Sequence, residues 1–337
     1  MRPIRIIWTA GRGDLQSGVE FQIPVLRRMP LIPEGYLYCT AYLYHSEDAA
    51  QNGTSSGGSG FLISLTSDVN PDVKYVYVVT NRHVVKGGHA VARLYTVDNK
   101  PDIPPLGDWY YRDDADDIAI CALGPMMPPY KYVFVPDTYC LDQTTYQTDL
   151  HVGPGDDVFM VGRLIGHDGK QRNTPSVRFG NVAMNPEEPV MHDGHLQYSF
   201  IVESRSIAGY SGSPVFLHIQ PHNWRPNVSQ NTGQWKHHLL GVDCGHMLIP
   251  EPLRDRRQVN IPGPWKQEQQ GRSHESLYVR TNNGMMVVVP SWSLREMLNT
   301  NVLLSARKSY EEKLRQDRDA EPLIQPAEAN KDPNVSE

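Results

Sequence analysis

The chain has 337 residues, 39% hydrophobic and 21% charged, with a formal net charge of −6. That balance excludes a largely disordered chain and allows one large domain or two small ones. A pI near 6.1, without a marked run of Lys and Arg, argues against a nucleic-acid groove or a basic membrane surface. No apolar stretch approaches membrane-spanning length. The run from Ile4 to Trp8 is too short for a signal-peptide core, so a reducing, cytoplasmic location is the expectation. Cys39, Cys121, Cys140 and Cys244 lack C-x-x-C spacing, and three lie in or beside strand-like apolar runs. Buried free thiols are therefore expected, not a disulfide framework.

Taken in order, residues 1–35 are broken by glycines and prolines and read as an N-terminal extension. The first strand is predicted over Tyr36–Tyr44, dense in aromatic β-formers. A Gly/Ser loop leads to strands at Gly60–Leu65 and Lys74–Thr80. Further short strands are predicted at Ala90–Val97, Ile118–Leu123, Tyr132–Val135, Val158–Leu164, Val177–Met184 and Leu196–Glu203. Val215–Ile219, His238–Asp243, Tyr278–Arg280 and Met285–Val289 complete the set. Short strands with Gly/Pro turns and hardly any helix predict an all-β protein. The expected architecture is two six-stranded antiparallel Greek-key barrels, over residues 36–140 and 141–290, with a C-terminal helix. Residues 221–237 and 248–276 read as polar insertions between strands. The helix is expected over 291–318, with Ser293 and Glu296 at capping-box spacing, and 319–337 as a disordered tail.

The chemistry centres on Gly209-Tyr210-Ser211-Gly212-Ser213-Pro214-Val215-Phe216. Small residues allow a sharp turn and close approach, and the apolar strand behind them anchors it. By itself this is equally a simple Gly/Ser turn. A serine hydroxyl needs a neighbouring base to become nucleophilic. Of 13 histidines, His83 stands out because it follows the apolar run Tyr77–Thr80 at the point where the chain leaves the core. The imidazole in turn needs a carboxylate to hold its tautomer. Asp117 directly precedes the apolar strand Ile118–Leu123, whereas Asp113, Asp114 and Asp116 read as a solvated acidic loop. Cys244 and His246, with His237 and His238, do not have recognised zinc spacing, so no metal or other cofactor is expected.

These motifs resemble those of the trypsin/chymotrypsin-fold serine endopeptidases, most of all the bacterial branch of HtrA-type proteases and glutamyl endopeptidases. Ser59-Gly60-Phe61-Leu62-Ile63 resembles the strand before the catalytic histidine, and Val78–Val84 the histidine segment itself. Asp117-Ile118-Ala119-Ile120 is similar to the aspartate segment, and Gly209–Phe216 to the serine loop of glutamyl endopeptidases. The resemblance implies Ser211 as nucleophile, His83 as general base and acid, and Asp117 as its orienting carboxylate. It also implies an oxyanion hole from the N–H groups of Gly209 and Ser211. Asp243, with Gly245 beside it, stands where the wall of the specificity pocket is expected, and Arg205 near the pocket base. A carboxylate there predicts cleavage after Lys or Arg. Tyr210 occupies the position where activatable trypsins keep an aspartate, so activation by N-terminal trimming is not expected. The expected partner is a polypeptide substrate, with neither nucleic acid nor membrane. The reading from a different class is a catalytically silent member of this fold that binds peptides or a partner.

Overall fold

In the computed structural model the chain divides into two compact units, Met1–Pro33 and Glu34–Glu337. The structure describes residues 32–98, 100–114, 116–164, 169–170, 172–204, 209–219, 236–252 and 278–320. Nearly all of the expected N-terminal extension, Arg205, the greater parts of the two insertions, and the tail beyond 320 lie outside these residues.

The second unit opens with a short helix, α1 (Gly35–Tyr38), followed by β1 (Thr40–Tyr44). A strand is thus replaced by helix over the first half of 36–44. The Leu37 and Tyr38 N–H groups donate to the Glu34 carbonyl at 2.9 and 3.2 Å, which closes a turn. The Tyr36 ring then packs edge-on against Phe216, 4.7 Å between centroids. Long-range packing of an aromatic residue overrides its local β preference here. Helix α2 (Glu47–Asn52) begins where Ser46 Oγ accepts the Ala49 N–H at 3.1 Å and ends at Gly53, with φ of +62°.

There follow β2 (Ser56–Thr66), β3 (Lys74–Thr80), a one-turn helix α3 (Arg82–Lys86) and β4 (Val91–Tyr95). Then come β5 (Pro101–Asp102), β6 (Trp109–Tyr111), β7 (Ala119–Met126) and β8 (Val135–Pro136). Seven of them run in the order β5-β4-β1-β2-β3-β7-β6, and β8 pairs with β2, making an eight-stranded sheet. The expected six strands become eight because two very short strands, β5 and β6, extend its ends. A bridge between Thr96 and Tyr132 folds the far side over a core of Leu43, Leu62, Val76, Val78 and Leu94.

The second half contains β9 (Asp157–Arg163), β10 (Pro175–Met184), β13 (Phe200–Ser204), β14 (Pro214–Ile219), β15 (Lys236–Pro252) and β16 (Tyr278–Pro290). These six close into a barrel in the order β10-β13-β16-β15-β14-β9. Its interior is filled by Val158, Met160, Phe200, Val202, Tyr210, Val215 and Leu217, among others. A separate hairpin of β11 (Pro189–His192) and β12 (His195–Tyr198) is inserted between β10 and β13. The predicted 196–203 strand is therefore two, parted at Ser199. Strands β15 and β16 run past the barrel as a ribbon, pairing Leu248 with Asn282 and Pro252 with Tyr278. Part of the expected 248–276 loop is thus regular strand.

The C-terminal segment is two helices, α4 (Ser291–Leu298) and α5 (Asn301–Ala320). The predicted capping box at Ser293 does not form. Helix α4 starts at Ser291, as expected, with the extended Pro290 at its cap, so Ser293 lies inside the first turn and not at the cap. All four cysteines are buried and free, as expected. Among the described residues no helix is long and apolar enough to cross a membrane.

Candidate active site

His83 sits in α3, immediately beyond β3, with its side chain 47% exposed. Its neighbours Asn81, Arg82 and Val84 are buried and hold the turn in place. Asn81 Nδ2 donates to the Asp117 carbonyl at 2.8 Å, tying this turn to the start of β7. Arg82 donates to the carbonyls of Arg112 and Asp113. One imidazole face is thereby left toward solvent while the backbone is fixed.

Asp117 is 8% exposed and meets His83 twice. Its Oδ1 accepts the His83 backbone N–H at 3.0 Å, and its Oδ2 lies 2.6 Å from His83 Nδ1. Arg82 Nε stands 4.0 Å from Oδ1. Burial would raise the Asp117 pKa, but the hydrogen bonds and charge of His83, with Arg82 behind, hold it below the ordinary carboxylate value. Desolvation acts on His83 in the opposite sense, favouring the neutral ring. The bond to Asp117 and its charge, with smaller contributions from Asp193 and Asp243, outweigh it and raise the His83 pKa. Nδ1 is thus the protonated nitrogen in the neutral ring, and Nε2 is left to accept a proton.

The solvated acidic loop divides as the sequence implies, with one exception. Asp113 pairs with Lys86, and Asp114 with Arg112 at 3.3 Å, both exposed. Asp116 is partly buried and its pKa is raised, chiefly by desolvation and against a hydrogen bond from Ser293.

The Ser211 turn lies between the two halves. Its carbonyl accepts the Ser59 N–H at 2.8 Å, and Ser59 Oγ donates to the Gly209 carbonyl at 2.8 Å. Ser59 is wholly buried, and its carbonyl accepts Thr80 Oγ1 at 2.7 Å, three residues before His83. A Cβ on Gly212, whose φ is +90°, would fall 2.0 Å from the Ser59 carbonyl oxygen and 2.5 Å from Thr80 Oγ1. Only glycine lets the serine turn press this closely on the strand that delivers His83. Gly209, with φ of +96°, supplies the other left-handed residue. From the barrel side Tyr210 is fully buried, hydrogen-bonded to Ser176 and faced by Arg178 4.9 Å from its ring centroid. Among the described residues no hydrogen bond joins the Ser211 hydroxyl to the imidazole, a contact that commonly tightens only with substrate bound. The N–H groups of Gly209 and Ser211 do not donate to any described backbone acceptor.

Asp243, in β15, backs this turn. Its carbonyl accepts the Gly212 N–H at 2.7 Å and its N–H donates to the Ser213 carbonyl at 2.9 Å. The carboxyl has no exposed surface. Oδ1 accepts the Gly245 N–H at 2.9 Å, and Oδ2 has no hydrogen-bond partner among the described residues. Burial, partly offset by the Gly245 bond and the His83 charge, pushes its pKa up to about 7. A Cβ on Gly245, whose φ is +129°, would fall 3.2 Å from Nε2 of His192 in the β11–β12 hairpin, and that nitrogen lies 3.2 Å from the Cys244 carbonyl oxygen.

Gln197 gives no signal in the sequence, yet it joins the hairpin to the site. Its Oε1 accepts the Asp117 N–H at 3.2 Å, and its Nε2 lies 3.2 Å from Cys244 Sγ. Ser59 was legible only as part of a glycine-rich strand. Among the described residues no cluster of His, Cys, Asp and Glu is arranged to hold a metal.

The site thus combines a part-exposed imidazole bonded to a buried carboxylate with a glycine-flanked serine turn held between β2 and β15. Residues 58–219 match the family model described as a trypsin-like peptidase domain, and that span contains His83, Asp117 and Ser211. No curated protein matches the chain. Among solved structures it is similar to the MamO protease domain of Magnetospirillum magneticum, at 14% identity and a TM-score of 0.45, covering 79% of this chain and 98% of that one. The active form of the Rv3671c protease of M. tuberculosis matches at 17% identity and a TM-score of 0.40, over 85% and 93% of the two chains. Deg5 matches at 15% and 0.37, over 61% and 79%. These likenesses are distant.

Proposed function

We propose that the protein is a serine endopeptidase that cleaves peptide bonds through an acyl-enzyme. The observation that carries this is the 2.6 Å contact of His83 Nδ1 with Asp117 beside the clamped Ser211 turn. Ser211 Oγ attacks the scissile carbonyl, and His83 Nε2 takes its proton and returns it to the leaving amine. Asp117 keeps the imidazole oriented and offsets its positive charge. The N–H groups of Gly209 and Ser211 stabilise the oxyanion, each contributing about 3–4 kcal/mol in the transition state.

The preference we propose is for Lys or Arg before the cleaved bond, read by Asp243. Asp243 has no exposed surface and one carboxyl oxygen without a described partner, so a cationic side chain that reaches it as substrate binds would pair with that oxygen and hold the carboxylate ionised. Reaction with a fluorophosphonate probe, with Ser211→Ala as control, tests the nucleophile. Labelling of the wild-type protein alone is expected; an unlabelled wild-type protein would favour the silent, peptide-binding alternative. Peptides differing only at the residue before the bond test the preference, and cleavage chiefly after Glu or Asp would overturn it.

A further inference from the structure

Resting on this reading, we infer that His45 and His89 form a subsite for an acidic side chain in the first two residues after the cleaved bond. The Ser211 turn is held from two sides, by Asp243 of β15 and by Ser59 of β2. With the residue before the bond at Asp243, the leaving segment departs over β2, along Gly57 and Gly58. Gly58 lies against the backbone of the serine turn: a Cβ there would be 2.9 Å from Val84 Cγ2 and 3.2 Å from the Ser211 carbonyl oxygen. The next residue outward carries the histidine. A Cβ on Gly57 would fall 2.1 Å from Cγ and 2.4 Å from Nδ1 of His89, so the imidazole lies flat on the glycine. His45, exposed at the end of β1, stands edge-on to it with 6.5 Å between centroids.

The groups acting on His89 include no carboxylate. Burial lowers its pKa first, then His45, then Arg163 of β9, against a hydrogen bond to the Val84 backbone. Arg163 is buried behind the pair and donates to the Ser56 carbonyl at 2.8 Å. Glu47 and Asp48 follow His45 in the exposed first turn of α2. Cation-capable side chains gathered beside the path of the leaving chain are complementary to a carboxylate. As pH falls the His89 imidazole charges, so discrimination between Asp and Asn should strengthen. Protonation of His83 slows every cut equally and cancels in that ratio.

The test is digestion of a diverse peptide library by the full-length protein at pH 8 and pH 6, with residues on both sides of each cut counted. Asp and Glu should be enriched over Asn and Gln by about fivefold at one of the first two positions after the cut at pH 6, the size of one part-exposed charge pair. The enrichment should be weaker at pH 8. It should vanish in His45→Gln/His89→Gln and fall in the single His45→Gln variant, with fluorophosphonate labelling and the preference before the bond unchanged. Cuts without that enrichment, or an enrichment that survives both substitutions, would overturn the subsite while leaving the endopeptidase reading intact. Absence of both cutting and labelling would remove the endopeptidase and the subsite with it.

Discussion

At the scale of the residue, Asp117 and Asp243 show how environment separates two carboxyls near one imidazole. Asp117 receives two hydrogen bonds from His83 and stays ionised; Asp243, wholly buried, is pushed toward neutrality. In the proposed mechanism the imidazole must be neutral to act as a base, and its pKa is raised. The kcat/KM of the protein should therefore climb with pH through a midpoint above the ordinary histidine value of 6.5. Asp117→Asn should lower kcat by about 10³–10⁴-fold and move that midpoint down, which a pH–rate profile measures. Asp243 gives a stability test. Its folded pKa of about 7 lies above the unfolded value, so its ionisation opposes folding. That cost is absent below about pH 4, grows between 4 and 7, and is complete above 7. Asp243→Asn should thus gain stability over the wild type as pH rises across that window, by a few kcal/mol at most. Urea denaturation at pH 4 and pH 8 reads the difference, and an equal gain at both would contradict it.

Among elements, α5 is the one whose attachment is most specific. Glu311 accepts hydrogen bonds from the Asp68 and Val69 N–H groups at 3.2 and 3.1 Å and from the Tyr75 hydroxyl at 3.0 Å. Arg307 donates to the Tyr77 hydroxyl at 3.0 Å and to the Leu298 carbonyl at 2.7 Å. The helix therefore clasps the turn between β2 and β3, the hairpin that leads to His83. Burial would raise the Glu311 pKa, but these bonds and one from Ser67 hold it down. A depressed carboxylate stabilises the fold above its unfolded pKa, and that contribution is lost as pH falls through the folded value. Glu311→Ala should cost about 1–3 kcal/mol at pH 7 and progressively less in acid, measured by denaturant unfolding. The sequence shows a helix here but not its grip, because Asp68, Val69, Tyr75 and Tyr77 lie 230 to 243 residues earlier.

For the whole molecule, the site exists because two β units meet along a few buried polar contacts. Ser59 Oγ donates to the Gly209 carbonyl and accepts the Arg163 N–H at 2.9 Å, so one hydroxyl joins β2, the serine turn and β9. Arg93, 1% exposed, reaches from β4 to Asn173 Oδ1 at 2.8 Å and to the carbonyls of Ala50, Lys170 and Gly169. Ser59→Ala leaves two of those groups without this partner. It should cost about 2–3 kcal/mol and also lower kcat, since the serine turn loses its register on β2. Thermal unfolding and initial rates would separate the two effects, and an unchanged rate would contradict the coupling.

The His83, Asp117 and Ser211 motifs, the all-β class and the buried thiols were legible in sequence because each depends on local patterning: an apolar strand with a polar residue just outside it, or a glycine-rich turn. The helix at Gly35–Tyr38, the ribbon of β15 and β16 and the inserted hairpin were not, because distant partners decide them. The serine turn is the clearest case. Its glycines and its serine can be read along the chain, but its clamping between Ser59 and Asp243 arises only when strands more than a hundred residues apart come into hydrogen-bond register.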